Sequence, residues 1–115
     1  MNKANHRIRQ QIEGRGSFAD VWVCISAEGE GSDLANTPSE WIAAAERGIQ
    51  SALAAVGRTP PQVSLLRVIY TYVDTTEDAA YAAAFMATAK LLDKDKEFQL
   101  SRRDGKWCVI SAEKA

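Results

Sequence analysis

Three stretches of this chain carry residue types that could do chemistry. "EGRGS" (13–17) holds one arginine between two glycines, "VDTTED" (73–78) gathers three carboxylates, and "KLLDKDKE" (90–97) alternates lysines with acids. A Gly-Arg-Gly loop could offer backbone N–H groups and a guanidinium to an anion. It lacks the length and the lysine of a phosphate-binding loop, however, and it precedes an apolar strand-like run, not a helix. The carboxylates Asp74, Glu77 and Asp78 could serve as acid and base or bind a cation. At the start of a helix, the simpler expectation is that they complement its dipole. Lys90, Lys94 and Lys96 interleave with Asp93, Asp95 and Glu97, the pattern of a solvated helix end.

The chain has one histidine, His6, close to the start of the sequence. A histidine-based triad or metal cluster is therefore hard to assemble. Cys24 and Cys108 have neither metal nor redox spacing and read as reduced, buried, small hydrophobes. Trp22, Trp41 and Trp107 read as packing residues before base-stacking platforms. No enzyme signature is present, so the expectation is a non-catalytic protein without cofactor, metal or bound nucleotide.

With 115 residues, 46% hydrophobic and 25% charged, the chain suits a single globular domain over residues 1–115. Net charge is −1, which gives no overall basic field. The charge is uneven: Lys3, Arg7, Arg9 and Arg15 make a basic arm, and Glu28, Glu30, Asp33 and Glu40 an acidic loop. No apolar stretch follows Met1 and no run approaches membrane-spanning length, so the cytoplasm and no membrane are expected.

These residues must be positioned by a few elements. Residues 18–26 alternate as a strand, with Val21, Val23 and Ile25 on one face and Trp22 and Cys24 on the other. Residues 7–12 read as either an earlier strand or an arm. In "TPSEWIAAAERGIQSALAAVG", Thr37 suits an N-cap with Glu40 closing a capping box, Pro38 suits the first turn, and Gly57 ends a helix over 38–56. "QVSLLRVIYTYV" reads as a central strand. A second, alanine-rich helix is expected over 76–92, capped by Thr75 or Thr76, with Tyr81, Phe85, Ala89 and Leu92 in one line. "FQLSRRDGKWCVIS" reads as a hairpin turning at Asp104-Gly105. The order is β-α-β-α-β-β, an α/β two-layer sandwich with both helices on one sheet face. Gly48, mid-helix, has no propensity reason to be there and marks a close crossing.

Three blocks, "GRGSFADVWVCI", "PSEWIAAAERGIQSAL" and "VSLLRVIYTYVDTTEDAAYAAAFMATAKL", together resemble domain IV of elongation factor G, which also occurs in tetracycline-type ribosomal protection proteins. The family's "GRG-x-[YF]" matches Gly14, Arg15, Gly16, Ser17 and Phe18. Its helix motif matches Pro38, Glu40, Trp41, Ile42, Ala44, Arg47, Gly48 and Ile49. Its "V-D-S-S-E" helix start matches Val73, Asp74, Thr75, Thr76 and Glu77. The blocks cover residues 10–92 in order, and the hairpin at 97–111 is additional. The resemblance implies a left-handed βαβ crossover and a tip, built by the Gly-Arg-Gly loop and the loop before the second helix, that faces RNA in the ribosome. By that resemblance Gly14, Arg15, Gly16, Ser17, Tyr72 and Asp74 are the RNA-binding residues, with Arg67 and Tyr70 nearby. The chain departs from the family in having a shorter second tip loop without its histidine, a shorter first connection lacking the extra strand, and no GTPase. Two readings follow: a non-catalytic RNA- or ribosome-binding module, or a protein-interaction or regulatory module that keeps the fold without the RNA role.

Overall fold

The computed structural model describes residues 3–12, 15–25, 33–57 and 63–112. Seven main elements follow in the order β1 (Lys3–Ile12), β2 (Arg15–Ile25), α1 (Ser39–Val56), β3 (Val63–Ile69), α2 (Glu77–Leu91), β4 (Phe98–Arg103) and β5 (Lys106–Ser111). A single 3-10 turn, Asp95–Glu97, precedes β4. The mixed α/β sandwich is thus present, with one strand more at its start: the basic arm is β1. Its sequence signal is weak because only Ala4 and Ile8 are buried along it, while Arg7, Arg9 and Gln11 face solvent.

The sheets are two. β1, β2 and β3 form an antiparallel sheet in that order, and β4–β5 stand apart as a two-stranded sheet. The central strand is therefore β2, and β3 lies at the edge, contrary to the expectation from its apolar run. What hides β3 is the helix layer on one face and, at its edge, a single bridge from Asp33 to Arg67. That bridge is the one parallel pairing among the described residues. β2 and β3 run antiparallel, so the crossover the resemblance implies is reduced to Asp33, α1 and β3. The register steps from Trp22 opposite Arg67 to Val23 opposite Leu65, leaving Leu66 as a bulge whose carbonyl accepts from Asp33 N–H (2.7 Å).

α1 starts without a side-chain cap. Pro38 occupies the cap position, and its carbonyl accepts from the Trp41 and Ile42 amides, so neither Thr37 nor a capping box closes this end. Proline has no side-chain acceptor to offer the first-turn amides, so this end is fixed by backbone alone. Gly57 ends α1 in the left-handed region (φ 69°). α2 is capped as expected, Thr76 Oγ1 accepting from Ala79 N–H (3.3 Å). The hairpin turn has Asp104 at φ 54° and Gly105 at φ 78°, both positive, as a two-residue primed turn needs.

α2 is buried on every side, not along one line: eleven of its fifteen residues are buried, among them seven alanines. Ala79, Ala83, Ala87 and Leu91, four residues apart, meet the sheet through Ile8, Val21 and Val23. Ala80 meets Trp41 and Ala44 of α1. Phe85 and Met86 meet Phe98, Leu100 and Val109 of the hairpin. Both helices thus lie side by side over the three-stranded sheet, and the hairpin closes the third side of α2.

At the helix crossing, a Cβ on Gly48 would run into the Tyr81 carbonyl oxygen and lie 3.0 Å from Ala84 Cβ. Both belong to α2, and a carbonyl oxygen cannot rotate away. We therefore expect Gly48→Ala to destabilise the fold by about 1–3 kcal/mol through overpacking, despite alanine's better helix propensity. Urea unfolding measures this, and a mutant as stable as the parent would refute the packing argument.

His6, on the inner face of β1, gives a second expectation. Its Nδ1 is buried without a partner. Burial, then the charge of Lys90 on α2, lower its pKa from 6.5 to about 4, against the opposing pull of Asp20 on β2 and Asp95. The folded state disfavours the imidazolium, so this stabilisation is complete above pH 6.5 and is lost as pH falls from there towards 4. With allowance for solvent screening, we expect about 1–2 kcal/mol to disappear across that window, and to be missing from the pH profile of His6→Gln.

Candidate nucleic-acid interface

The tip expected from the sequence forms where β1 turns into β2, and it is tied to the segment Tyr70–Thr76 between β3 and α2. Phe18 N–H donates to the Asp74 carbonyl (3.0 Å), and Thr75 Oγ1 donates to the Phe18 carbonyl (2.7 Å). The same Thr75 oxygen accepts from Thr71 N–H (2.8 Å), and Thr71 Oγ1 accepts from Asp74 N–H (2.9 Å). Thr75 is buried, so one hydroxyl satisfies backbone groups of two segments 57 positions apart. Both threonines of "DTT" therefore act: Thr76 caps α2, and Thr75 fastens the loop below it.

Gly16 sits against the side chain of Asp74. A Cβ there would fall 2.7 Å from the carboxyl atoms, so a larger residue would have to push that carboxylate aside. Arg15 opens β2 opposite Ile12. Its side chain and the whole of Gly14 lie outside the described residues. Ser17 is held from a third direction, its Oγ accepting from Arg102 Nη1 (3.2 Å). The Arg102 guanidinium also lies 5.0 Å from the Trp107 ring centre, so the hairpin braces the tip.

An open cleft of about 590 Å³ results, lined by Arg9, Gln11, Gly16, Phe18, Thr71 and Asp74, among others. Of the expected site residues, Gly16, Ser17 and Asp74 come together there. Tyr72 does not line it. This residue is 77% exposed, and its ring rests edge-on against Tyr70 (5.4 Å between centres) and lies 5.9 Å from Trp41. Tyr70 donates its hydroxyl proton to the Asn36 carbonyl (2.9 Å). Hydrogen bonding with Tyr72, then partial burial, raises its phenol above the usual value. Arg67 is away from the tip, beside Asp33 at the bridge. The sequence reading missed the roles of Thr71, Thr75 and Arg102; two threonines four apart at a strand end are a weak signal for a turn latch.

Comparison with known proteins supports the fold. A solved structure of a protein from Thermus thermophilus, ttk003000868, is similar to this chain with a TM-score of 0.62 and 18% sequence identity. The match covers 94% of this chain and 23% of that one, so the chain spans about a quarter of that protein's length. No protein-family model matches the chain, and no curated protein matches it in sequence. The class defined by fold and comparison is an α+β sandwich domain of the kind embedded in that longer protein. No helix among the described residues is long and apolar enough to cross a membrane.

Removal of the latch should be felt in stability. Thr75→Val keeps shape but leaves the Thr71 amide and the Phe18 carbonyl unpaired, which should lower stability by about 1–3 kcal/mol. Thr75→Ser should retain most of it. Equal denaturant midpoints for Val and Ser would show that the hydroxyl is not what holds the tip.

Proposed function

We propose that this chain is a non-catalytic module of the elongation factor G domain IV type, acting in the cytoplasm, that binds RNA or the ribosome through its tip. The observation that supports this is the latch joining Gly16–Phe18 to Thr71–Thr75. Two chain-distant segments converge into one rigid end, with Arg15 entering β2 at its apex. A preorganised tip lowers the ordering penalty of binding, and its phosphate partners are Arg15 and Arg9. No nucleotide or cofactor is part of this reading.

A second reading, a protein-interaction or regulatory module, is favoured by one specific feature. Tyr72 and Val73 are 77% and 90% exposed on the same loop, backed by Tyr70 and Trp41. An exposed tyrosine backed by aromatic rings is of the residue type enriched among the anchors of protein interfaces.

Co-sedimentation with ribosomes at about 50 mM and at raised salt separates the two, since phosphate contacts weaken steeply with salt. Under the RNA reading, Arg15→Ala weakens binding and lowers the log–log salt slope by roughly 0.7–0.9, one contact's worth, while stability is unchanged. Binding that is absent at low salt, or indifferent to Arg15→Ala, overturns it. Loss with Tyr72→Ala but not Arg15→Ala favours the protein partner.

A further inference from the structure

The three-stranded sheet has two faces; among the described residues both helices pack on one of them, and no other element packs on the second. Antiparallel partners share a face, so Arg9 with Phe18, Arg7 with Asp20 and Ile69, and Asn5 with Trp22 and Arg67 lie together on the other. Along β2 this face reads Phe18, Asp20, Trp22: an aromatic ring, a carboxylate and a second aromatic ring. The rings are about 13 Å apart along the strand.

The carboxylate between them is sealed. Asp20 is fully buried, accepting from Asn5 Nδ2 (2.8 Å) and from Arg7 Nε and Nη2 (3.1 and 3.0 Å). These contacts fix the Arg7 guanidinium while leaving its side chain 53% exposed, 6.0 Å from the centre of the Phe18 ring. Arg67, also half-exposed, meets Asp33 only at 3.8 Å, between two exposed groups where an ion pair contributes little. Arg9 is exposed. Lys3, Arg7, Arg9 and Arg67 lie with Asp20 and Asp33, and Lys90, Asp93 and Asp95 border Trp22, so five cations meet four carboxylates, a cationic excess of one on a chain of net charge −1. Trp22 is half-buried, unlike Trp41 and Trp107, and its Nε1 has no partner. Beside it lies an open cleft of about 410 Å³, bordered by Lys3, Lys90, Asp93 and Asp95.

We infer that this sheet face is a second site, a platform for single-stranded nucleic acid that meets the tip cleft at Arg9 and Phe18. Bases stack on Phe18, Trp22 and the fixed plane of Arg7, and phosphates lie against Arg9 and Arg67. Aromatic rings interleaved with cations on a strand surface match that ligand, because every base has a π-face and every linkage a charge. The charge complementarity selects a polyanion, and the two rings select one carrying bases over an acidic peptide. The inference shares its ligand chemistry with the tip reading, and Arg9 and Phe18 border both sites. Trp22 and Arg67 belong to the sheet face alone and Arg15 to the tip alone, so either reading can fail by itself.

The test is fluorescence anisotropy with a short labelled oligouridine at about 50 mM salt, where phosphate contacts are strongest. Trp22→Ala should weaken binding roughly tenfold, the usual effect of losing one stacked base, while Trp22→Phe retains most of it. Arg67→Ala should reduce the salt slope by about 0.7. Arg15→Ala, at the tip, should leave this oligonucleotide binding unchanged. Should Trp22→Ala not fold, the exposed variant Arg67→Glu, away from the tip, carries the test, and it should weaken binding roughly tenfold with no change in melting temperature. The proposal is overturned if the wild-type chain binds no oligouridine, or if folded Trp22→Ala binds as well as wild type. It is equally overturned if an oligoglutamate peptide competes as well as RNA. Oligouridine binding lost in Arg15→Ala and kept in Trp22→Ala would leave the tip standing and this face without a role.

Discussion

The close approach of α1 to α2 at Gly48 sets the position of everything else in the molecule. With no side chain at that point, the α1 backbone rests against the Tyr81 carbonyl and the Ala84 methyl. The alanines of α2 extend that closeness around its circumference. Small side chains let sheet, helix and hairpin approach one helix together, each on its own side. The consequence is a core built from many short contacts, with few large side chains to interlock. Val21 and Val23 are the largest hydrophobics buried below 2% exposure. Such a core tolerates little added volume, and a single methyl at the crossing must displace backbone.

That constraint also fixes the tip. The N-terminus of α2 is pinned between Thr76, which caps it, and Asp78, whose Oδ2 accepts from Trp107 N–H (2.6 Å). The loop before the helix therefore has no freedom at its far end. Thr75 then fastens it to Phe18, so the first part of β2 is held against a helix whose own position is set by packing. Arg102 completes the frame from the hairpin side by holding Ser17. The hairpin, which lies outside the stretch of family resemblance, is thus part of what stiffens the tip.

Most of the architecture is legible in the residues, for identifiable reasons. Both helices can be read because Pro38, Thr76 and Gly57 punctuate them and because Gly48 makes no sense except at a crossing. The hairpin can be read because Asp104-Gly105 demands two positive φ angles. Strand β1 is ambiguous because its buried face holds only alanine, histidine and isoleucine, too little contrast for a period of two. The edge position of β3 is easily misread because the same apolar run results whether a strand is flanked by strands or covered by helices. The bulge at Leu66, which allows consecutive buried residues, strengthens that impression. Among the site residues, only the resemblance brings Gly16, Ser17 and Asp74 together from sequence. The tie from Thr75 to Phe18 escapes notice, since a hydroxyl joining segments 57 residues apart leaves no local pattern. Tyr72 is expected at the tip because its family match lies in the second tip loop, yet the turn after β3 directs it towards Trp41 and out of the cleft.

The buried Asp20 shows how a polar face can remain ordered without a covering layer. A carboxylate removed from water is tolerated only when its charge and lone pairs are satisfied, and here Asn5 and Arg7 of one neighbouring strand do both. Because Arg7 lies directly opposite Asp20 in register, the pair also resists a one-residue slip of β1, which would bring Ile8 or His6 opposite the carboxylate. Register along β1 matters more than in most edge strands, since its apolar face is too sparse to enforce alignment by packing alone. The charge pair supplies the specificity that the hydrophobic pattern lacks. It thereby fixes where β1 ends, and so where the turn into Arg15 and Gly16 begins.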